Sequence, residues 1–126
     1  MMRTSPTLRA LLAGAALALS GLAYAAEPAM EKDGMLVDSN GMTLYTYDKD
    51  AMNKSNCNDS CAGHWPPLMA AAGAKDNDDW TVIKRDDGSM QWAYYGKPLY
   101  TYVDDKKAGD MTGDGKGGVW HVAKPE

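Results

Sequence analysis

An internal repeat with a spacing of 55 residues is the feature that most constrains this chain. When residues 41–65 are laid without a gap on residues 96–120, nine of the 25 positions are identical. The identical pairs are Gly41/Gly96, Leu44/Leu99, Tyr45/Tyr100, Thr46/Thr101, Tyr47/Tyr102, Asp50/Asp105, Asp59/Asp114, Gly63/Gly118 and Trp65/Trp120. Two copies are too few for an open solenoid, so we expect two similar units packed face to face around one core.

Each unit has the pattern of a hairpin followed by a loop and a strand. Segments rich in β-branched and aromatic residues are typical of strands. They occur at 35–37, 42–47, 80–85, 89–94, 99–103 and 119–122. Asn-Gly at 40–41 and Asp-Gly at 87–88 favour tight hairpin turns. We predict an all-β or mostly β fold, a single compact domain with repeat 1 at about 33–68 and repeat 2 at about 80–122.

The aromatic residues of the repeat are expected to be scaffold. Phe is absent from the chain, so an aromatic core must consist of Tyr and Trp, whose polar tips need partners. The residues assigned to this scaffold are Tyr45, Tyr47, Trp65, Tyr100, Tyr102 and Trp120. Asp50 and Asp105 follow the tyrosines, and we expect them to accept hydrogen bonds from loop N–H groups or a tyrosine hydroxyl.

The first 25 residues have the pattern of a cleaved export signal. Arg3 and Arg9 precede an apolar run at 11–19, and Ala23 and Ala25 supply the small residues of a cleavage site. We therefore expect a mature domain of residues 26–126 in the periplasm or outside the cell. No cysteine follows the apolar run, and no later run is long enough to cross a bilayer, so we expect neither a lipid anchor nor a membrane span.

The charge of the chain argues against nucleic acid as a partner. The formal net charge is −4, and loss of Arg3 and Arg9 with the signal would make it −6. A negatively charged domain does not attract a phosphate backbone or an anionic membrane surface.

The paired motif resembles that of a known family. Residues 45–50 and 100–105 both fit Tyr-x-aromatic-x-x-Asp, and the sequences 65–68 (Trp-Pro-Pro-Leu), 96–99 (Gly-Lys-Pro-Leu) and 118–121 (Gly-Val-Trp-His) surround them. The chain is similar over nearly its whole mature length to secreted bacterial repeat proteins described as predicted lipoproteins with a Y-x-[FWY]-x-x-D motif. The resemblance implies secretion and this architecture, and it implies no known reaction. The lipid-bearing cysteine that the family's common name suggests is missing here.

The two cysteines, Cys57 and Cys61, are expected to form a disulfide. Pairing is usual in an exported chain, and the bridge would fix the loop between Tyr45 and Trp65. A thiol–disulfide redox role is the alternative, although the Cys-x-x-Cys spacing of thioredoxin-like oxidoreductases is absent. Haem attachment is disfavoured because no histidine directly follows the second cysteine.

Metal sites remain alternatives to a purely structural reading. His64 and His121, together with the cysteine pair, could surround a transition metal such as copper, whereas we expect the scattered methionines to fill gaps in the core. Residues 110–115 resemble the start of a calcium loop in which Asp110 and Asp114 would be ligands. His121 then occupies the position of the bidentate glutamate, and turn formation alone explains the Asp and Gly residues.

The functional prediction is a non-enzymatic binding or envelope-associated module. Motifs of hydrolases and phosphate-binding loops are absent from the sequence. The expected partner is an unknown envelope component or a small ligand, and no cofactor is predicted. The alternative is a small redox or metal-handling protein using copper or calcium.

Overall fold

The computed structural model describes residues 27–126, so the predicted signal segment 1–25 lies outside the described residues. The elements are β1 (Met30–Lys32), β2 (Met35–Val37), β3 (Tyr45–Tyr47), α1 (Ser60–His64), β4 (Trp80–Lys84), β5 (Met90–Tyr94), β6 (Lys97–Pro98), a 3-10 turn (Lys116–Gly118) and β7 (Trp120–Val122). They form three small antiparallel sheets, β1-β2, β3-β7 and β4-β5-β6. The predicted mostly β fold is confirmed.

Equivalent residues of the two repeats meet at the centre of the domain. The N–H of Tyr45 donates to the carbonyl of Tyr100 at 2.8 Å, and the N–H of Tyr100 donates to the carbonyl of Tyr45 at 3.0 Å. A residue that pairs with its own counterpart lies beside a twofold axis. The repeats are therefore related by a pseudo-twofold axis that passes between these tyrosines.

The segment after each tryptophan crosses to the hairpin of the other repeat. In each half, three backbone hydrogen bonds connect three residues in a ring. The first residue lies in the hairpin, the second directly precedes the motif tyrosine, and the third follows the tryptophan of the other repeat. These residues are Leu36, Leu44 and Ala123 in one half, and Trp92, Leu99 and Leu68 in the other. Because the crossing occurs in both directions, each repeat completes the sheet structure of the other.

The strand predicted at 99–103 is interrupted for the same reason. The N–H groups of Leu99, Tyr100 and Thr101 donate to three different segments, through the carbonyls of Trp92, Tyr45 and Pro66. A continuous ladder needs successive residues to pair with one strand. The segment is extended, but it joins its neighbours through isolated pairs.

The core has two parts. A cluster of tyrosines, tryptophans and Cys57 lies on the pseudo-twofold axis, and a second cluster around Leu44, Leu99 and Trp80 lies under the hairpins. The expectation that methionines fill core gaps is wrong, because none of the seven methionines in residues 27–126 is buried. No helix within these residues is both long and apolar enough to span a membrane.

Candidate functional site

Four aromatic rings form a continuous stack across the pseudo-twofold axis. The equivalent tryptophans Trp65 and Trp120 are stacked, with ring centroids 3.8 Å apart and 3° between their planes. Tyr102 stacks on the outer face of Trp65 at 4.1 Å, and Tyr47 stacks on Trp120 at 4.2 Å. Isolated rings prefer offset or edge-on contacts to a face-to-face arrangement. The stack is therefore imposed by the packing of two equivalent residues at the axis.

The motif tyrosines close the sides of this stack. Tyr45 contacts Trp65 edge-on at 5.2 Å, and Tyr100 contacts Trp120 edge-on at the same distance. Both tyrosine side chains are fully buried. The scaffold assignment of these residues agrees with their burial, and the stack is the centre of the fold.

The tyrosine and aspartate of the motif exchange partners between the repeats. The Tyr45 hydroxyl donates to Asp105 Oδ2 at 2.7 Å, and the Tyr100 hydroxyl donates to Asp50 Oδ2 at 2.7 Å. Burial, followed by the hydrogen bond and charge of the aspartate, raises the pKa of Tyr45 well above its ordinary value. Burial is also the main cause that raises the pKa of Tyr100. Both hydroxyls therefore stay protonated at neutral pH.

The second oxygen of each aspartate holds its own loop. Asp50 Oδ1 accepts the Asn56 N–H at 2.7 Å, and Asp105 Oδ1 accepts both the N–H and the hydroxyl of Thr112 at 2.8 and 2.6 Å. Burial raises the pKa of Asp50, and the hydrogen bonds from the Asn56 N–H and the Tyr100 hydroxyl oppose that rise. Each aspartate thus ties a loop to the tyrosine of the other repeat.

Arg85 is a buried cation that sequence reasoning missed. Its side chain is 4% exposed, and it donates to Ser55 Oγ at 2.9 Å, to Gln91 Oε1 at 2.8 Å and to the Cys57 carbonyl at 2.6 Å. Ser55 Oγ lies 2.6 Å from the Tyr100 hydroxyl. Because that hydroxyl gives its proton to an aspartate, Ser55 must donate to Tyr100. A chain of hydrogen bonds, each donated in the same direction, therefore runs from the Arg85 guanidinium through Ser55 and Tyr100 to the Asp50 carboxylate.

The cysteine pair lies beside this network. Cys57 and Cys61 form a disulfide with an S–S distance of 2.06 Å, and residues 27–126 contain no free cysteine. Cys57 is fully buried in the aromatic cluster. The bridge and Arg85 together fix the loop of repeat 1, whereas the second loop uses Thr112 and glycines instead.

The predicted metal-binding residues do not form a common site in the described part of the chain. Within it, no group of three or more His, Cys, Asp or Glu side chains is placed to hold an ion. Asp110 Oδ2 accepts the N–H groups of Lys106 and Lys107, and these bonds lower its pKa. Asp114 Oδ1 accepts the Val122 N–H at 3.1 Å. Both aspartates therefore act as turn and strand acceptors.

The two predicted histidines have separate partners. His64 Nδ1 lies 2.9 Å from the carbonyl of Ser60 one helical turn earlier. His121 Nε2 lies 2.8 Å from Asp48 Oδ2, and both side chains are about half exposed. Asp48 and His121 correspond to Val103 and Pro66 in the other half, so the pair exists at only one end of the pseudo-symmetric domain.

A groove opens at that same end. It has a volume of about 300 Å³ and is lined by residues 46–48, 50–52 and 95–98. We call it the Tyr95 groove. A second depression of about 350 Å³ shares Thr46, Asp48 and Lys97 with it and continues to His121 and the C-terminal residues. Together they make one polar and aromatic surface that the other half of the domain reproduces only in part, because the counterparts of Asp48, Tyr95 and Lys97 there are Val103, Asn40 and Met42.

Tyr95 has an unusual backbone conformation at the rim of this groove. It occupies the tight turn between β5 and β6 with φ of 48°, and Gly96 follows with φ of 83°. Three other non-glycine residues in the described chain have positive φ, and all are Asp or Asn: Asp33, Asn53 and Asp59. Asp and Asn tolerate this region, whereas a bulky residue there is strained.

The geometry defines a class of protein: a two-repeat, mostly β domain whose halves exchange motif partners around an aromatic stack and carry one disulfide. A model of the Lipoprotein_15 family, described as a secreted repeat of unknown function, matches residues 28–69 and 81–124. The chain belongs to this family. No curated protein and no solved structure matches it.

Proposed function

We propose that this protein is a non-enzymatic binding module of the bacterial envelope, acting in the periplasm after removal of residues 1–25. In this proposal residues 26–126 are the mature domain, without a lipid anchor, and the Tyr95 groove is its binding site. Membership of a secreted family supports export. N-terminal sequencing of the exported protein should begin at Ala26, and an uncleaved chain would contradict this part of the proposal.

The observation that carries the binding proposal is the strained, exposed position of Tyr95. A left-handed conformation costs a non-glycine residue about 1–2 kcal/mol. The Tyr95 side chain is 47% exposed, so burial of the ring does not compensate for that cost. The counterpart at the 55-residue spacing is Asn40, which does not have a positive φ, so of these two turns the one at Tyr95 carries the strain. Strain retained at an exposed aromatic residue points to a role in recognition.

The groove offers chemistry suited to a ligand with an apolar or planar face. Tyr47, Met52 and Tyr95 supply apolar surface, and Met52 is 78% exposed. Asp48 and Lys97 add opposite charges at its edge. A few polar groups around an aromatic surface are typical of small-molecule sites, and the volume lies at the small end of their range.

Native mass spectrometry after incubation with a periplasmic extract tests the proposal. The wild-type protein should acquire one or more discrete mass additions, and Tyr95→Asn should lose them. Urea unfolding should show Tyr95→Asn to be about as stable as the wild type, because relief of backbone strain offsets the lost contacts with Tyr94 and Asp79.

Asn40→Tyr is the matched control, since it places the same ring at the corresponding position of the other half, where the backbone φ is not positive. This variant should bind as the wild type does. Mass additions that survive in Tyr95→Asn would show that the Tyr95 groove is not the binding site.

A further inference from the structure

The methionines of this domain are distributed against the usual preference. Methionine is among the residue types most often fully buried. Five of the seven methionines in residues 27–126 are exposed, with fractions from 39% to 78%: Met30, Met52, Met69, Met90 and Met111. Met35 and Met42 are intermediate, and the buried core contains none. The exposed thioethers lie on several separate segments, so no single interface explains them.

We propose that the five exposed methionines are sites of reversible oxidation and that the protein is a sink for two-electron oxidants of the hypochlorous acid or peroxide class. With hypochlorous acid, the sulfur gives an electron pair to oxygen and an S–O bond forms. The O–Cl bond breaks, chloride leaves with its electron pair, and the proton goes to water. The sulfur is oxidised to a sulfoxide, which methionine sulfoxide reductases can reduce again.

The other sulfur atoms of the chain do not compete for the oxidant. A free thiolate would be oxidised readily. The sequence contains two cysteines, and both form the disulfide between Cys57 and Cys61. Thioethers are therefore the reduced sulfur atoms that an oxidant meets, and most of them are at the surface.

Oxidation of the exposed methionines should leave the fold intact. A sulfoxide is polar, and it disrupts a protein when it forms in a core. Here the two core clusters consist of tyrosine, tryptophan, leucine, alanine and cysteine. Oxygen added at the exposed sites points into water, so the aromatic stack and its hydrogen bonds stay unchanged. Only Met52 adjoins the Tyr95 groove, so the proposal stands whether or not that groove binds a ligand.

Titration of the purified protein with hypochlorite, followed by peptide mass mapping, tests the chemistry. Sulfoxide should accumulate at the five exposed methionines before Met35 and Met42 react. The fully modified protein should keep its melting temperature within about 4 °C, the shift expected of surface changes in a domain of this size. Equal oxidation of Met35 and Met42, earlier reaction of the aromatic residues, or unfolding of the modified protein would overturn the proposal.

A variant with all five exposed methionines changed to leucine is the matched control, since leucine conserves volume. It should consume five fewer equivalents of hypochlorite while folding as the wild type does. In cells that lack the native protein, the wild type should restore survival under hypochlorite and the five-leucine variant should not. Equal protection by the two proteins, at equal abundance, would refute the role as an oxidant sink.

Discussion

The exchange of partners between the repeats leads to a prediction about energetic coupling. Tyrosine and aspartate occur in the same motif, so the sequence alone would suggest that Tyr45 interacts with Asp50. In the structure Tyr45 instead donates to Asp105, and Tyr100 donates to Asp50. Double-mutant cycles that combine Tyr→Phe with Asp→Asn separate the two arrangements. Phenylalanine keeps the ring contacts with the tryptophans and removes the hydroxyl, which also accepts a hydrogen bond from Gly113 in Tyr45 and from Ser55 in Tyr100. These additional losses occur in both the single and the double variants, so the cycle isolates the tyrosine–aspartate coupling.

The magnitudes follow from the hydrogen bonds and their burial. A hydrogen bond to a charged group contributes about 1.5–3 kcal/mol. We expect a coupling of this size for Tyr45 with Asp105 and for Tyr100 with Asp50. The first should be larger, because Asp105 is buried and Asp50 is partly open to water. Pairs within one motif share no hydrogen bond, so their coupling should stay within about 0.5 kcal/mol.

Urea unfolding at pH 7 provides the assay. The free energy of unfolding is compared among the four proteins of each cycle, provided that their m-values agree. A coupling above about 1 kcal/mol within one motif, together with none across the repeats, would refute the exchanged arrangement. Loss of coupling in every pair would instead show that the hydroxyl–carboxylate bonds add nothing to stability beyond burial of the rings.

Three further predictions concern the core and its loops. The raised pKa values of Tyr45 and Tyr100 mean that these residues stay protonated in the folded state at a pH where unfolded tyrosines ionise. The free energy of unfolding should therefore fall above about pH 10, by roughly 1.4 kcal/mol per pH unit for each tyrosine. Urea unfolding across alkaline pH should show a smaller fall for either Tyr→Phe variant than for the wild type. Arg85→Met should cost about 3 kcal/mol in urea unfolding, since it leaves buried acceptors unpaired, and unchanged stability would contradict the network. Replacing Cys57 and Cys61 by serine should cost about 2 kcal/mol, and denaturing thiol labelling of the wild type should find no free thiol.

The repeat, the mostly β fold and the burial of the motif tyrosines could be predicted because they depend on local pattern. Identities at a 55-residue spacing reveal equivalent positions. They do not reveal which aspartate each tyrosine contacts. Both motifs contain a tyrosine and an aspartate at the same spacing, so contacts within one repeat and contacts between the repeats fit the sequence equally well. The pairing of Asp50 with Tyr100 and of Asp105 with Tyr45 therefore became visible only in the structure.

Burial of a charged residue was equally invisible in the sequence. Arg85 precedes an Asp-Asp-Gly turn and has the local context of a surface arginine. It is buried because Ser55, Gln91 and a backbone carbonyl from a distant loop converge on it. The methionines were assigned to the core on the general preference of the residue type, and their exposure follows from a core already filled by tyrosine and tryptophan.

The crossing of each repeat into the other sets the order in which this secreted chain can fold. Residues are synthesised from the N-terminus, yet the central partner of Trp65 is Trp120, which comes 55 residues later in the sequence. The first repeat also waits for Ala123 to complete its hairpin. Neither half can close its core alone, so we expect the two repeats to fold together in one cooperative step, after both have been synthesised.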